Sequence, residues 1–159
     1  MKKSVHEVLL WLFIINLGIA FGAGIYEARI VIPGFADTPP HTWPNTGLLF
    51  WVYVTTGPLT LLTLANTYVA LKSRGPQRKW HLAAVGILIV ERLATFSYFI
   101  PTMAGLMGAE GLSQGEIVAT LSEWQLYNHG RHLLTLSGWL AALKALTLAS
   151  RQGETKDFS

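Results

Sequence analysis

The chain has 159 residues, of which 51% are hydrophobic and only 13% charged, whereas soluble domains carry about 25% charge. With a mean hydropathy of +0.38, so short a chain lacks the polar surface a water-soluble domain needs, and one compact unit in lipid is expected. The absence of cysteine excludes disulfides, a thiolate nucleophile and Cys-based zinc or iron–sulfur sites.

Four uncharged or nearly uncharged stretches run from Val8 to Tyr26, Gly47 to Leu71, Trp80 to Met107 and Ser122 to Ala149. Each is long enough to cross ~30 Å of hydrocarbon, which takes about 20 helical residues. The expected fold is an all-α, four-helix bundle integral to a membrane. Its spans lie at about 8–32, 47–72, 80–107 and 116–150, in a single domain of residues 1–150, and a polar tail, expected to be disordered, covers 151–159.

Besides Arg29, just past the first stretch, eight of the twelve Lys and Arg residues lie outside the apolar stretches: Lys2, Lys3, Lys72, Arg74, Arg78, Lys79, Arg151 and Lys156. All eight fall at the termini or between spans two and three. The positive-inside rule therefore places both termini and the Lys72–Lys79 loop in the cytoplasm, in a multi-pass protein of the inner cell membrane. The pI near 9.3 is accounted for by this topology, so no nucleic-acid partner is expected. The first apolar run exceeds the 7–15 residues typical of a signal-peptide core and is read as a retained span.

In span one, Gly18 and Gly22 have the spacing that lets another helix approach closely. The run Arg29–Ile32 reads as either a short strand or a frayed helix end. Pro33, Pro39, Pro40 and Pro44 stiffen an outer loop with Trp43 and His41, suited to a lid. Span two carries a threonine stripe at Thr56, Thr60, Thr63 and Thr67, and Pro58 should kink it. Span three opens on an interfacial Trp80 and meets Pro101. Span four is expected to begin as an outer amphipathic turn, Ser113 to Trp124.

The informative residues lie inside the spans: Glu27, Arg29, Glu91, Arg92, Glu123, Asn128, His129, Arg131 and His132. Intramembrane charges are costly and normally face the bundle interior, pair, or line a pathway. At ~1.5 Å per residue, Glu91 lies ~16 Å above the cytoplasmic edge, Arg131 ~27 Å and Glu27 ~28 Å. Glu91, Thr95 and Tyr98 share one helical face. Trp124, Asn128, Arg131, His132 and Thr135 share another, with His129 beside it, and Asn16, Ala20, Gly24 and Glu27 share a third.

Together these faces would enclose a polar pocket, closed toward the cytoplasm and open outward. The plainer reading is a set of buried ion pairs fixing helix register. His129 and His132, at i and i+3, read as a hydrogen-bonding pair or as ligands of a metal or haem. No third ligand is evident, so no metal is assigned. His6 and His81 are expected to be solvated. Tyr and Trp residues suit interface anchoring, although Tyr53, Tyr98, Trp124 and Tyr127 are placed to line the pocket. No Ser-His-Asp set, phosphate-binding loop or HExxH motif occurs.

The segment Phe96–Thr102, then Leu106–Met107, Trp124-xx-Tyr127-Asn128-xx-Arg131 and Leu143–Leu146, with the earlier Gly24-xx-Glu27, resembles the anthrone oxygenase-like family of small four-span membrane proteins. The resemblance implies oxidation of a flat aromatic substrate without an established flavin or haem. It also implies a pocket of Glu27, Trp124, Asn128 and Arg131. Spacing adds His129 and His132.

Three function classes follow. The first is an oxidoreductase or oxygenase acting on a hydrophobic, aromatic or quinone-like molecule. It would use His129, His132 or Glu91 as base, Arg131 and Arg92 to stabilise an enolate, and Glu27, Arg92, Tyr98, Trp124, Asn128 and Tyr53 to bind. No cofactor is required, with haem, quinone or metal as alternatives. The second is a proton-coupled carrier using Glu91, and the third an accessory subunit in which the polar band only joins helices. The lipid bilayer and a hydrophobic small molecule are the expected partners, and a homo-oligomer stays open.

Overall fold

The computed structural model describes residues 5–43, 49–109 and 111–157; the expectations resting on Lys2, Lys3, Pro44 and Glu110 fall outside them. The described residues form four helical rods: α1 (Val5–Phe35), α2 (residues 49–72), α3 (Gln77–Gly108) and α4 (Gln114–Asp157). Each packs on the next, and α4 closes on α1. Three of them, α1, α3 and α4 through Arg151, are long and apolar enough to cross a membrane. Within α2, five threonines, Asn66 and the Gly57–Pro58 pair raise the polarity. Large apolar side chains such as Leu61, Leu64, Leu93, Leu126 and Leu133 stand exposed on the outside of the rods, as lipid solvation requires.

Two apolar cores fill the interior. The inner one, toward the Lys72–Lys79 end, joins Leu10, Phe13, Leu17, Leu59, Leu88 and Ala142. Here small residues bring backbones together: a Cβ on Gly18 would meet the Trp139 ring at 3.0 Å, and one on Gly138 would run into the Leu88 side chain. Gly22, the partner of Gly18 in the sequence spacing, has open space in front of it instead. The outer core joins Ile32, Trp43, Phe99, Leu106, Ile117 and Trp124.

No strand forms among the described residues, so residues 29–32 are neither strand nor frayed end. They continue α1 through a widened π turn, Glu27–Val31, and a last α-helical turn, Ile32–Phe35. Helical bonding keeps their N–H groups paired, which a lone strand in lipid would not. The same widening occurs at Trp51–Thr56 in α2 and at Thr95–Phe99 in α3. Each π turn ends two residues before a proline: Pro33, Pro58 and Pro101. The residue just before each proline donates five residues back, Ile32 to Glu27 O, Gly57 to Val52 O and Ile100 to Thr95 O. Proline cannot donate and its ring crowds the preceding turn, so the helix widens rather than breaks. At Gly57 an added Cβ would lie 2.5 Å from the Val52 carbonyl oxygen.

Side chains from neighbouring helices brace these turns. Asn16 Nδ2 donates to Val54 O at 3.0 Å, Gln125 Nε2 to Ala28 O at 2.9 Å and Trp124 Nε1 to Phe99 O at 3.1 Å. Every one of the three carbonyls lies inside a π turn.

The threonine stripe of α2 is turned on its own backbone: Thr60, Thr63 and Thr67 each donate to the carbonyl four residues earlier at 2.6–2.7 Å. His81 is buried rather than solvated, 3.0 Å from Asn66 Oδ1, and Asn66 Nδ2 in turn donates to Leu9 O and Leu62 O. The α4 backbone stays helical to Asp157, where a disordered tail was expected. α4 starts after a reciprocal cap, in which Ser113 donates to Glu116 Oε2 from both N–H and Oγ, and Glu116 N–H reaches back to Ser113 Oγ. The short connections turn through Gly75 and Gly111 at φ +92° and +81°, where a Cβ would be strained.

Candidate functional site

The polar residues do come together in part, between the two cores. Glu91 on α3 is 1% exposed. Its carboxylate accepts a fork from Arg92, Nε to Oε2 at 2.6 Å and Nη2 to Oε1 at 2.7 Å, and a further bond from Thr95 Oγ1 at 3.1 Å. All three residues belong to one helix. Such a cluster neutralises a buried charge, and its hydrogen bonds stay within α3. On α4, Arg131 approaches Glu27 of α1 at 3.8 Å. Its guanidinium lies 4.6 Å from the centroid of Phe99 and 5.9 Å from that of Trp124, over the negative faces of the rings. Trp51 lies beside Glu27 on the wall of the cleft.

Two spaces adjoin this band. An inner cavity of about 20 Å³ is bounded by Ala20 and Gly24 of α1, Trp51, Thr55 and Thr56 of α2, Glu91 and Arg92 of α3, and Arg131, His132 and Thr135 of α4. Outside it opens a cleft of about 790 Å³ with walls of Ile19, Ala23, Val31, Phe35, Phe50, Trp51, Met103 and Met107. Among the described residues Glu27 is the one ionisable side chain other than Tyr26 on its lining, and Trp51 borders both spaces. Trp43 covers part of the cleft, stacked on Phe35 at 4.4 Å and 7°. Its indole is fixed by donation to Thr38 O and Oγ1. The space is thus divided: a large apolar cleft ends at Glu27, and the polar pocket behind it is small.

Placement of the expected residues follows from this. Glu91, Arg92, Arg131 and His132 line the inner cavity, and Glu27 lines the cleft. Trp124 lies beneath Arg131 and lines neither space. Asn128 is fully buried, with neither amide atom hydrogen-bonded among the described residues. His129 is exposed, its ring 6.3 Å from that of His132, so the pair does not converge on one point inside the bundle. Tyr53 is 73% exposed, and Tyr98 packs edge-on against Tyr127 at 5.4 Å, away from both spaces. Arg29 and Glu123 are exposed too and take no part in the band. No group of three His, Asp or Glu side chains stands close enough to hold a metal among the described residues.

Several lining residues were not anticipated: Trp51, Thr55, Phe35, Phe50, Met103 and Met107. Trp51 and Thr55, four residues apart, share a helix face, a signal the sequence did contain. A scan against protein families, a search of curated proteins and a search of solved structures each find no match to this chain.

Proposed function

We propose that this is a four-span protein of the inner cell membrane, with both termini cytoplasmic. Its outer cleft binds a flat, hydrophobic, aromatic or quinone-like molecule, on which it acts as an anthrone oxygenase-like oxidoreductase. One observation carries the reading: an apolar, aromatic cleft of about 790 Å³ ends at one buried-side carboxylate, Glu27, flanked by Arg131 and Trp51. Small-molecule sites have volumes of roughly 300–1,000 Å³, mostly apolar walls and few convergent polar groups. Met103 and Met107 on the lining add adaptable, polarisable contact.

The chemistry that fits is proton removal from a carbon acid. Glu27, rather than His129 or Glu91, is the base within reach of a molecule in the cleft. Arg131, 3.8 Å behind it and on the inner cavity, orients the Glu27 carboxylate rather than touching the substrate. With dioxygen as oxidant the balance is anthrone plus O₂ giving anthraquinone plus water. The methylene carbon loses two hydrogens and gains one oxygen atom, and the second oxygen leaves as the water.

The accessory-subunit reading draws on the Arg131–Glu27 pair between α4 and α1, whereas the hydrogen bonds of the Glu91 cluster stay within α3.

Purified protein in detergent, mixed with anthrone, tests this. Ligand should raise the thermal midpoint of the wild type, and oxygen uptake should accompany loss of anthrone. Ala23→Phe, which fills the cleft, should abolish both. Glu27→Gln should keep the thermal shift and lose the uptake. A wild type that neither shifts nor consumes oxygen removes the proposal.

A further inference from the structure

The inner cavity has its own unmet chemistry, independent of what fills the cleft. His132 is 6% exposed, lines the cavity, and has no hydrogen-bond partner for either ring nitrogen among the described residues. Arg92 commits Nε and Nη2 to Glu91, yet its Nη1 is buried and likewise without a partner. Two hydroxyl groups on the wall have spent their protons elsewhere: Thr55 donates to Trp51 O at 3.2 Å and Thr135 to Arg131 O at 3.1 Å. Their oxygens remain able to accept. Unpaired buried donors and acceptors are costly, and several facing one small space define the ligand that would satisfy them.

That ligand must accept from an arginine N–H, donate to a bare imidazole nitrogen, and donate again to a hydroxyl oxygen. Size narrows it further. A water needs about 10–15 Å³ of such space, and the cavity offers about 20 Å³. A water-sized molecule fits, and an organic ligand of several heavy atoms does not. A cation would face Arg92 and Arg131, and a halide has no proton to give the imidazole.

We propose that the cavity is a binding site for a single water molecule, held by Arg92 Nη1, a ring nitrogen of His132 and the hydroxyl oxygen of Thr55 or Thr135. The site sits where all four helices meet, with Ala20 and Gly24 closing the α1 side. Gly24 is required there because a Cβ would stand 2.6 Å from His132 Nε2. The water joins the Glu91–Arg92 pair of α3 to the histidine of α4, a link that no protein–protein hydrogen bond makes among the described residues.

The test is water-edited solid-state NMR on full-length protein in lipid bilayers, with ¹⁵N-labelled histidine. The His132 signal is assigned by its disappearance in His132→Gln. Although buried, the His132 ring should receive magnetisation from water as quickly as exposed His6 at the start of α1. Ala20→Leu extends a side chain into the cavity. It should abolish that transfer while leaving the His129 signal and the remaining spectrum in place. If Ala20→Leu fails to fold, a density map that resolves ordered solvent replaces it. One peak should lie about 2.7–3.2 Å from both Arg92 Nη1 and a His132 nitrogen. No transfer to His132 in the wild type, transfer that persists in a folded Ala20→Leu, or an empty map overturns the proposal. So does transfer that requires chloride in the buffer.

Discussion

At the scale of single residues, Glu91 shows how much a spacing argument carries. Helical rise alone puts it ~16 Å deep, where a bare carboxylate is untenable and a cationic partner is required. Arg92 or Arg131 both fit that requirement. The structure selects Arg92, its chain neighbour, although residues i and i+1 do not normally face each other on a helix. A three-carbon stem lets the guanidinium fold back along the helix, and no residue pattern encodes that choice. The expected consequence is direct. Glu91→Gln leaves the Arg92 guanidinium buried and unpaired, and should lower unfolding free energy by about 3–5 kcal/mol. Glu91→Gln/Arg92→Met should recover most of the loss. Thermal or SDS-induced unfolding in detergent measures both, and an unchanged Glu91→Gln midpoint would mean that the pair is hydrated and contributes little.

His129 and His132 make the complementary point. Their spacing suits a shared ligand, but three residues span 300° around a helix, so the two rings diverge by about 60°. The inward wedge of α4 holds Asn128, Arg131 and His132, and His129 falls beyond its edge. Tyr53 fails for a related reason. Its level in the membrane was legible, but the rotation of α2 depends on the widened turn it sits in.

At the scale of elements, prolines were visible and their structural effect was not. The sequence marks Pro33, Pro58 and Pro101 as places where a helix ends or bends. In lipid, ending is excluded because freed backbone groups have no water to bond. Each helix instead takes up one extra residue per turn, and a neighbour supplies a donor to the widened turn. The partnership is testable at α2. Asn16 Nδ2 serves Val54 O, four residues before Pro58, the carbonyl whose α-helical donor the proline removes. Asn16→Leu should therefore cost about 1–3 kcal/mol, the price of orphaning a buried carbonyl. In a Pro58→Ala background, where residue 58 regains its N–H, the same change should cost clearly less. A double-mutant cycle on unfolding midpoints reads the coupling, and strictly additive effects would refute it.

At the scale of the molecule, helix number and the common end of the basic residues were readable because charge and hydropathy act over long windows. Lys72, Arg74, Arg78, Lys79 and Arg151 all fall at the end of the bundle where α2 meets α3 and α4 finishes. With no native cysteine to interfere, Ser73→Cys and Thr42→Cys can be probed in intact cells with an impermeant thiol reagent. Thr42→Cys should label and Ser73→Cys should not; the reverse pattern would invert the orientation. The division into a broad cleft and a small cavity was not readable, because it depends on where Trp51 and Trp43 lie in three dimensions.

The separation of the two apolar cores has a consequence for how this chain can change. Leu17, Leu59 and Leu88 pack below the polar band, and Ile32, Phe99 and Leu106 above it, in clusters that share no residue. Substitutions around the cleft mouth therefore perturb packing that the inner half does not rely on. The outer half is free to change its packing while the inner half preserves the scaffold. A small chain can in this way vary at one end without loosening the packing at the other.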